Sequence, residues 1–165
     1  MKADTMNIDN KFKKQLFETS LERLCDWALK RGWITEFSYT GNDEMEPDNK
    51  MIYINTRQGV EKQLYSMLHE CGHVLVQSNL KSYYKKYPAT AQSRFLDVGR
   101  MRRFEKTKKY KIDTISEEIE AWERGKKLAQ RLDLYIVEDN YAKLMHDCVF
   151  TYIEWAAGKP GYGKK

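Results

Sequence analysis

The stretch Leu68-His69-Glu70-Cys71-Gly72-His73 constrains the chain most. Two of its three histidines stand four residues apart, with a glutamate directly after the first. On an α-helix, positions i and i+4 share a face roughly 6 Å apart, so both imidazoles can grip one Zn2+. Glu70 points about 100° away around the same helix. It reaches a water at such a metal more easily than the metal itself. Two histidine ligands and a glutamate general base are the working parts of a zinc hydrolase. Val60, Leu64, Met67, Leu68, Cys71 and Leu75 supply an apolar stripe for a helix over 59–78, and the histidines fall off that stripe. Cys71 therefore reads as core. Gly72 costs the helix roughly 1 kcal/mol relative to alanine, which makes sense where another element must approach closely. A surface helix with two ordinary histidines would explain neither the glutamate nor the glycine.

The rest of the chain fits a folded, soluble, cytoplasmic protein. With 165 residues, 32% of them charged, and with four Trp and eleven Tyr, one domain over residues 1–157 with its own core is expected, followed by a flexible basic tail at 158–165. Three cysteines, Cys25, Cys71 and Cys148, show no CxxC spacing, so reduced thiols are expected and no disulfide framework. The opening MKADTMNIDNKFKK lacks the apolar run of a secretory signal, and no apolar stretch is long enough to span a membrane. The net charge of +5 is concentrated: residues 81–111 hold eleven Lys/Arg against two acids, a local +9 that leaves −4 for the remainder.

Periodicity predicts mostly helix. Residues 10–31 carry Phe12, Leu16, Leu21, Leu24 and Ala28 at helical spacing and stop at Gly32. Residues 34–40 and 50–56 alternate or are rich in β-formers, and the turn-rich GNDEMEPDN between them predicts an antiparallel hairpin. Residues 79–112 are expected to be loop with short helical pieces, broken at Pro88 and Gly99. A strong helix is expected from about 115 to 132, with Thr114 and Glu117 at the spacing of a capping box, and a last one over about 137–157.

A zinc site needs a third protein ligand. The candidates are His146, Glu117, Glu118, Glu120 and Glu123. Glu117 is accounted for by the capping box. Glu120 shares a face with Glu123, Arg124 and Lys127, which reads as solvent. Glu118 shares a face with Ala121, Trp122, Gly125 and Ala129, an apolar face with small residues that can pack closely on another helix. It is the favoured ligand, although a carboxylate near a helix N-terminus is also favourable in itself. His146, on a helix among Leu144, Cys148 and Val149, is the alternative ligand. His146, Tyr83, Tyr84 and Tyr110 are candidate donors to an oxyanion.

His69-Glu70-Cys71-Gly72-His73, followed by Glu118-Ile119-Glu120-Ala121 on a second helix, resembles the gluzincin arrangement. It is nearest the ImmA/IrrE-type metallopeptidases of phages and mobile elements. The resemblance covers roughly residues 50–132. It implies an α+β, zincin-like fold, mostly helical, with a small antiparallel β-sheet and an active-site helix carrying the His-Glu-x-x-His motif. It also implies one Zn2+ per chain, held by His69, His73 and Glu118, with Glu70 as catalytic base. Relatives often carry Asn or Asp where this chain has Trp122, so a hydrogen bond to a ligand histidine is missing or comes from elsewhere, with Asp113 a candidate. The expected function is a zinc-dependent metalloprotease that cuts another intracellular protein. The alternative is a nucleic-acid- or protein-binding module with a structural or vestigial zinc site. Segment 81–111 mixes cations with Tyr and Phe. It is a candidate surface for nucleic acid, a border that attracts an acidic substrate, or a solvated loop with its aromatics packed beneath.

Overall fold

A computed structural model describes residues 2–159, with side chains from residue 9. Most of the expected tail, 160–165, lies outside the described residues. The first helix, α1 (Lys2–Leu29), buries Phe17, Leu21, Leu24, Trp27 and Ala28, while Phe12 is exposed. It ends as expected at Gly32, whose φ of +79° turns the chain, and Trp33 N donates back to Ala28 O at 3.1 Å.

Three strands follow, β1 (Ile34–Ser38), β2 (Glu44–Glu46) and β3 (Met51–Asn55), in the spatial order β1-β3-β2. The sheet corrects the expected antiparallel hairpin. β1 runs parallel to β3, with Ile34 opposite Met51 and Ser38 opposite Asn55, and only β2 is antiparallel to β3. A parallel pair needs a crossover connection. Here residues 39–50 cross to the far edge of β3 and lay down β2 there. That strand is Glu-Met-Glu, too short and too charged to show a period. β3 is central and alternates cleanly, with Ile52 and Ile54 fully buried.

The core lies between this sheet, α1, α2 (Val60–Gln77) and the two last long helices; of the expected stripe on α2, Leu64, Met67, Leu68 and Cys71 are fully buried, and Val60 and Leu75 half-buried. Segment 79–112 folds as three short helices, α3 (Leu80–Lys86), α4 (Pro88–Ser93) and α5 (Val98–Phe104). Pro88 opens α4, where its missing N–H costs nothing, and Gly99 lies inside α5. The next helix, α6 (Lys108–Arg131), begins about seven residues earlier than expected. Its cap is Thr107, whose hydroxyl accepts from Tyr110 N at 3.3 Å. The Thr114–Glu117 capping box does not exist: Thr114 sits within the helix and donates to Tyr110 O at 2.9 Å. α7 (Glu138–Ala156) closes the fold.

The α2–α6 crossing positions the site. The two helices run antiparallel, and each presents a glycine to the other's backbone. A Cβ on Gly72 would lie 1.9 Å from Ala121 O, and one on Gly125 would lie 2.4 Å from Leu68 O. Only glycine permits this approach at both places.

Candidate metal centre

His69 and His73 project from one face of α2, and their Nε2 atoms stand 3.2 Å apart. From α6, Glu118 brings Oε2 to 3.2 Å from His69 Nε2 and Oε1 to 3.5 Å from His73 Nε2. Two metal–ligand bonds of about 2.0–2.1 Å at a tetrahedral angle put donor atoms about 3.3 Å apart, so the triangle has the size of a zinc site. Its chemistry fits as well. Glu118 Oε2 is buried and, beyond its contact with His69 Nε2, has no hydrogen-bond partner, and Glu70, Glu117 and Glu118 surround the two imidazoles. Burial works against charge here, yet His73 and His69 outweigh it and hold the Glu118 carboxyl far below the usual carboxylate range. On His73 burial is likewise outweighed, by Glu118 and Glu117, and the imidazole is pushed well above its ordinary value. A site with this much buried negative charge favours a cation.

Glu70 is 6% exposed, at the floor of a cleft of ≈ 340 Å3 that also holds His69, His73 and Glu118. Burial pushes its carboxyl up. A larger hollow of ≈ 990 Å3 lies on the other side of α6 and contains none of these groups.

Several expectations about neighbouring residues change. Glu117 is not a cap. Its Oε1 lies 3.6 Å from His73 Nδ1, and it is fixed by Tyr83 Oη at 2.9 Å and Gln77 Nε2 at 3.1 Å. It stands beside His73 on the side away from Nε2. Glu120 is not solvated: Lys86, Tyr87 and Arg124 engage it, which holds α3 and α4 against α6. Glu123 is exposed on the face away from the cleft. Asp113 makes no bond to a ligand; it accepts from Ala89 N at 2.6 Å and pins the start of α4.

His146 is exposed on α7 and does not line the cleft that holds His69, His73 and Glu118. The α7 residue that lines the cleft is Tyr152, with burial and the neighbouring Glu118 raising its phenol's pKa. The signal for Tyr152 was available: Tyr141, Leu144, Met145, Cys148, Val149 and Tyr152 form one helical stripe, and His146 is out of phase with it. Of the tyrosines expected as donors, Tyr110 lines the cleft, Tyr83 lines it with its hydroxyl committed to Glu117, and Tyr84 is outside it. Asp43, unnoticed in the sequence, ties the approach to β2 onto β3 and α2 through Asn55 N at 2.7 Å and Ser66 Oγ at 2.8 Å.

Residues 29–106 match the family model of the IrrE N-terminal-like domain, Peptidase_M78. The resemblance to the ImmA/IrrE-type metallopeptidases holds over that part of the chain, which includes the sheet and the whole of α2. The match to this peptidase-like domain stops before α6, so the placement of Glu118 stands on geometry alone. Neither curated proteins nor solved structures gave a match. Among the described residues no helix is long and apolar enough to cross a membrane.

Proposed function

We propose that the chain is a zinc-dependent metallopeptidase that cleaves another intracellular protein. The observation that carries this reading is the convergence of His69, His73 and Glu118 beside Glu70 in one cleft. His69, His73 and Glu118 would hold the metal with three protein ligands, whereas a structural zinc normally takes four. Zinc held there supplies a Lewis acid that polarises the scissile carbonyl and acidifies water.

The chain's own residues do the rest. Glu70, buried in the cleft beside His69 and His73, takes the proton of the attacking water and delivers it to the leaving amine. Tyr152 and Tyr110 offer phenol donors on the cleft wall where negative charge develops on the carbonyl oxygen. Glu117, with Oε1 3.6 Å from His73 Nδ1, places a negative charge behind that imidazole. β2 borders the cleft through Glu44 and Met45, and Arg94 stands on the wall formed by the basic segment. That placement supports the reading in which segment 81–111 borders the cleft and receives an acidic stretch of substrate.

The exposed cations Arg102, Arg103, Lys106, Lys108 and Lys109 favour the second reading, a nucleic-acid-binding module with a structural zinc. Glu70→Gln separates the two. The peptidase reading expects zinc bound at one per chain and hydrolysis reduced by at least about 100-fold. Unchanged hydrolysis in that variant, or no zinc in the wild type after it is supplied, refutes it.

A further inference from the structure

The two histidines at the metal centre are held in different ways. His73 has a carboxylate beside its Nδ1: Glu117 Oε1 lies 3.6 Å away, and Glu117 is itself fixed by Tyr83 and Gln77. His69 Nδ1 is buried and has no hydrogen-bond partner. A ligand imidazole ordinarily gives its second nitrogen to a carboxylate, a carbonyl or water, and that bond sets the ring's rotation and strengthens it as a donor. His69 lacks the bond, yet its Nε2 still points at Glu118.

What touches it is Trp122. The indole lies flat on the imidazole, with centroids 4.4 Å apart and planes 22° from parallel. Trp122 is 2% exposed and follows Glu118 by one helical turn, so one face of α6 presents both a ligand and this ring. Its position is fixed on the other side by Tyr141, edge-on at 5.4 Å, whose hydroxyl donates to Trp122 O at 2.8 Å. Rotation of the imidazole about its Cβ–Cγ bond would drive it into the indole.

We infer that Trp122 is a positioning residue that orients His69 for metal binding by stacking, in place of the usual hydrogen bond. The two histidines are then unequal ligands. His73 is strengthened by a carboxylate, and His69 is aligned by shape alone. This inference rests on the metal-centre reading above.

The test is zinc affinity of the full chain, read by competition with a chelator, for wild type, Trp122→Phe and Trp122→Leu. Thermal midpoints of the zinc-free proteins are recorded beside it, with the visible absorption of Co2+-loaded samples. Phenylalanine keeps a flat ring on His69 and should stay within about 3-fold of wild type. Leucine fills space without stacking and should bind zinc about 10- to 100-fold more weakly, the usual effect of losing a group that orients a ligand. Its cobalt spectrum should change while that of Trp122→Phe does not. If Trp122→Leu lowers the thermal midpoint but binds zinc as tightly as wild type, Trp122 is only core, and the inference falls while the metal centre stands. If both variants lose zinc equally, stacking is not what matters, and it falls again. If the wild type takes up no zinc, the metal-centre reading fails and this inference with it.

Discussion

Alanine at Gly72 would place a methyl group 1.9 Å from Ala121 O, 2.6 Å from its carbonyl carbon and 3.0 Å from its Cα. All three atoms are backbone, so no side chain can swing away. A relaxed carbon–oxygen contact is about 3.3 Å, and α6 must therefore retreat by about 1.4 Å. Overpacking of this kind costs about 1–3 kcal/mol, the upper end where backbone must move. Alanine's better helix propensity returns about 1 kcal/mol. The net expectation is a loss of about 2 kcal/mol, or about 4–8 °C in Tm for a chain of this size. The metal centre should suffer more. Glu118 is on the helix that moves, and its oxygens sit 3.2 and 3.5 Å from the two Nε2 atoms. Zinc sites tolerate about ±0.2 Å, so zinc affinity should fall at least about 10-fold. The assay is thermal unfolding of the zinc-free protein together with a chelator-competition titration. Gly99→Ala is the control: it makes the same change in the exposed helix α5, with only the Asp97 side chain at 3.4 Å, and should be neutral or stabilising. A Gly72→Ala protein as stable as wild type, with zinc affinity unchanged, would refute the close-crossing argument.

Other substitutions test separate parts. Glu117→Gln leaves Tyr83 and Gln77 a partner but removes the charge behind His73; zinc binding should weaken about 10-fold, measured by the same titration. Gly59 caps α2 with no side-chain bond, at φ −65°, and a Cβ there would meet nothing within 4 Å. Gly59→Ser should therefore add about 0.5–1 kcal/mol through a cap bond and a stiffer unfolded chain, read from urea midpoints with the m-value unchanged.

The sequence made the helices legible because their signals are local. α2 follows its apolar stripe, and α1 ends at the glycine that marks its stop. The sheet was half legible. Residues 34–38 and 51–55 carry the β-formers, but nothing within either strand says which way it runs beside the other. That is decided by β2, a strand of three residues held in place by pairing with β3 and by the Asp43 contacts. Such long-range support leaves no trace in local periodicity.

The candidate site divides along the same line. His69, Glu70 and His73 were readable because one helical turn contains them. Glu118 was readable because the small residues after it advertise a face that packs closely. Glu117 was not, since the bonds that define it come from Gln77 and Tyr83, 40 and 34 residues away. The crossing shows why these assignments go together. Gly72 meets Ala121 and Leu68 meets Gly125 along one seam of the antiparallel pair. Beside it, His73 meets Glu118 and His69 meets Trp122. Both seams advance four residues on α2 for four in the opposite direction on α6. The glycines thus set the separation at which a carboxylate reaches two imidazoles, and the same spacing leaves room opposite His69 for a flat ring. A change to one seam must therefore be felt in the other, so the effects of Gly72→Ala and Trp122→Leu on zinc affinity should not add.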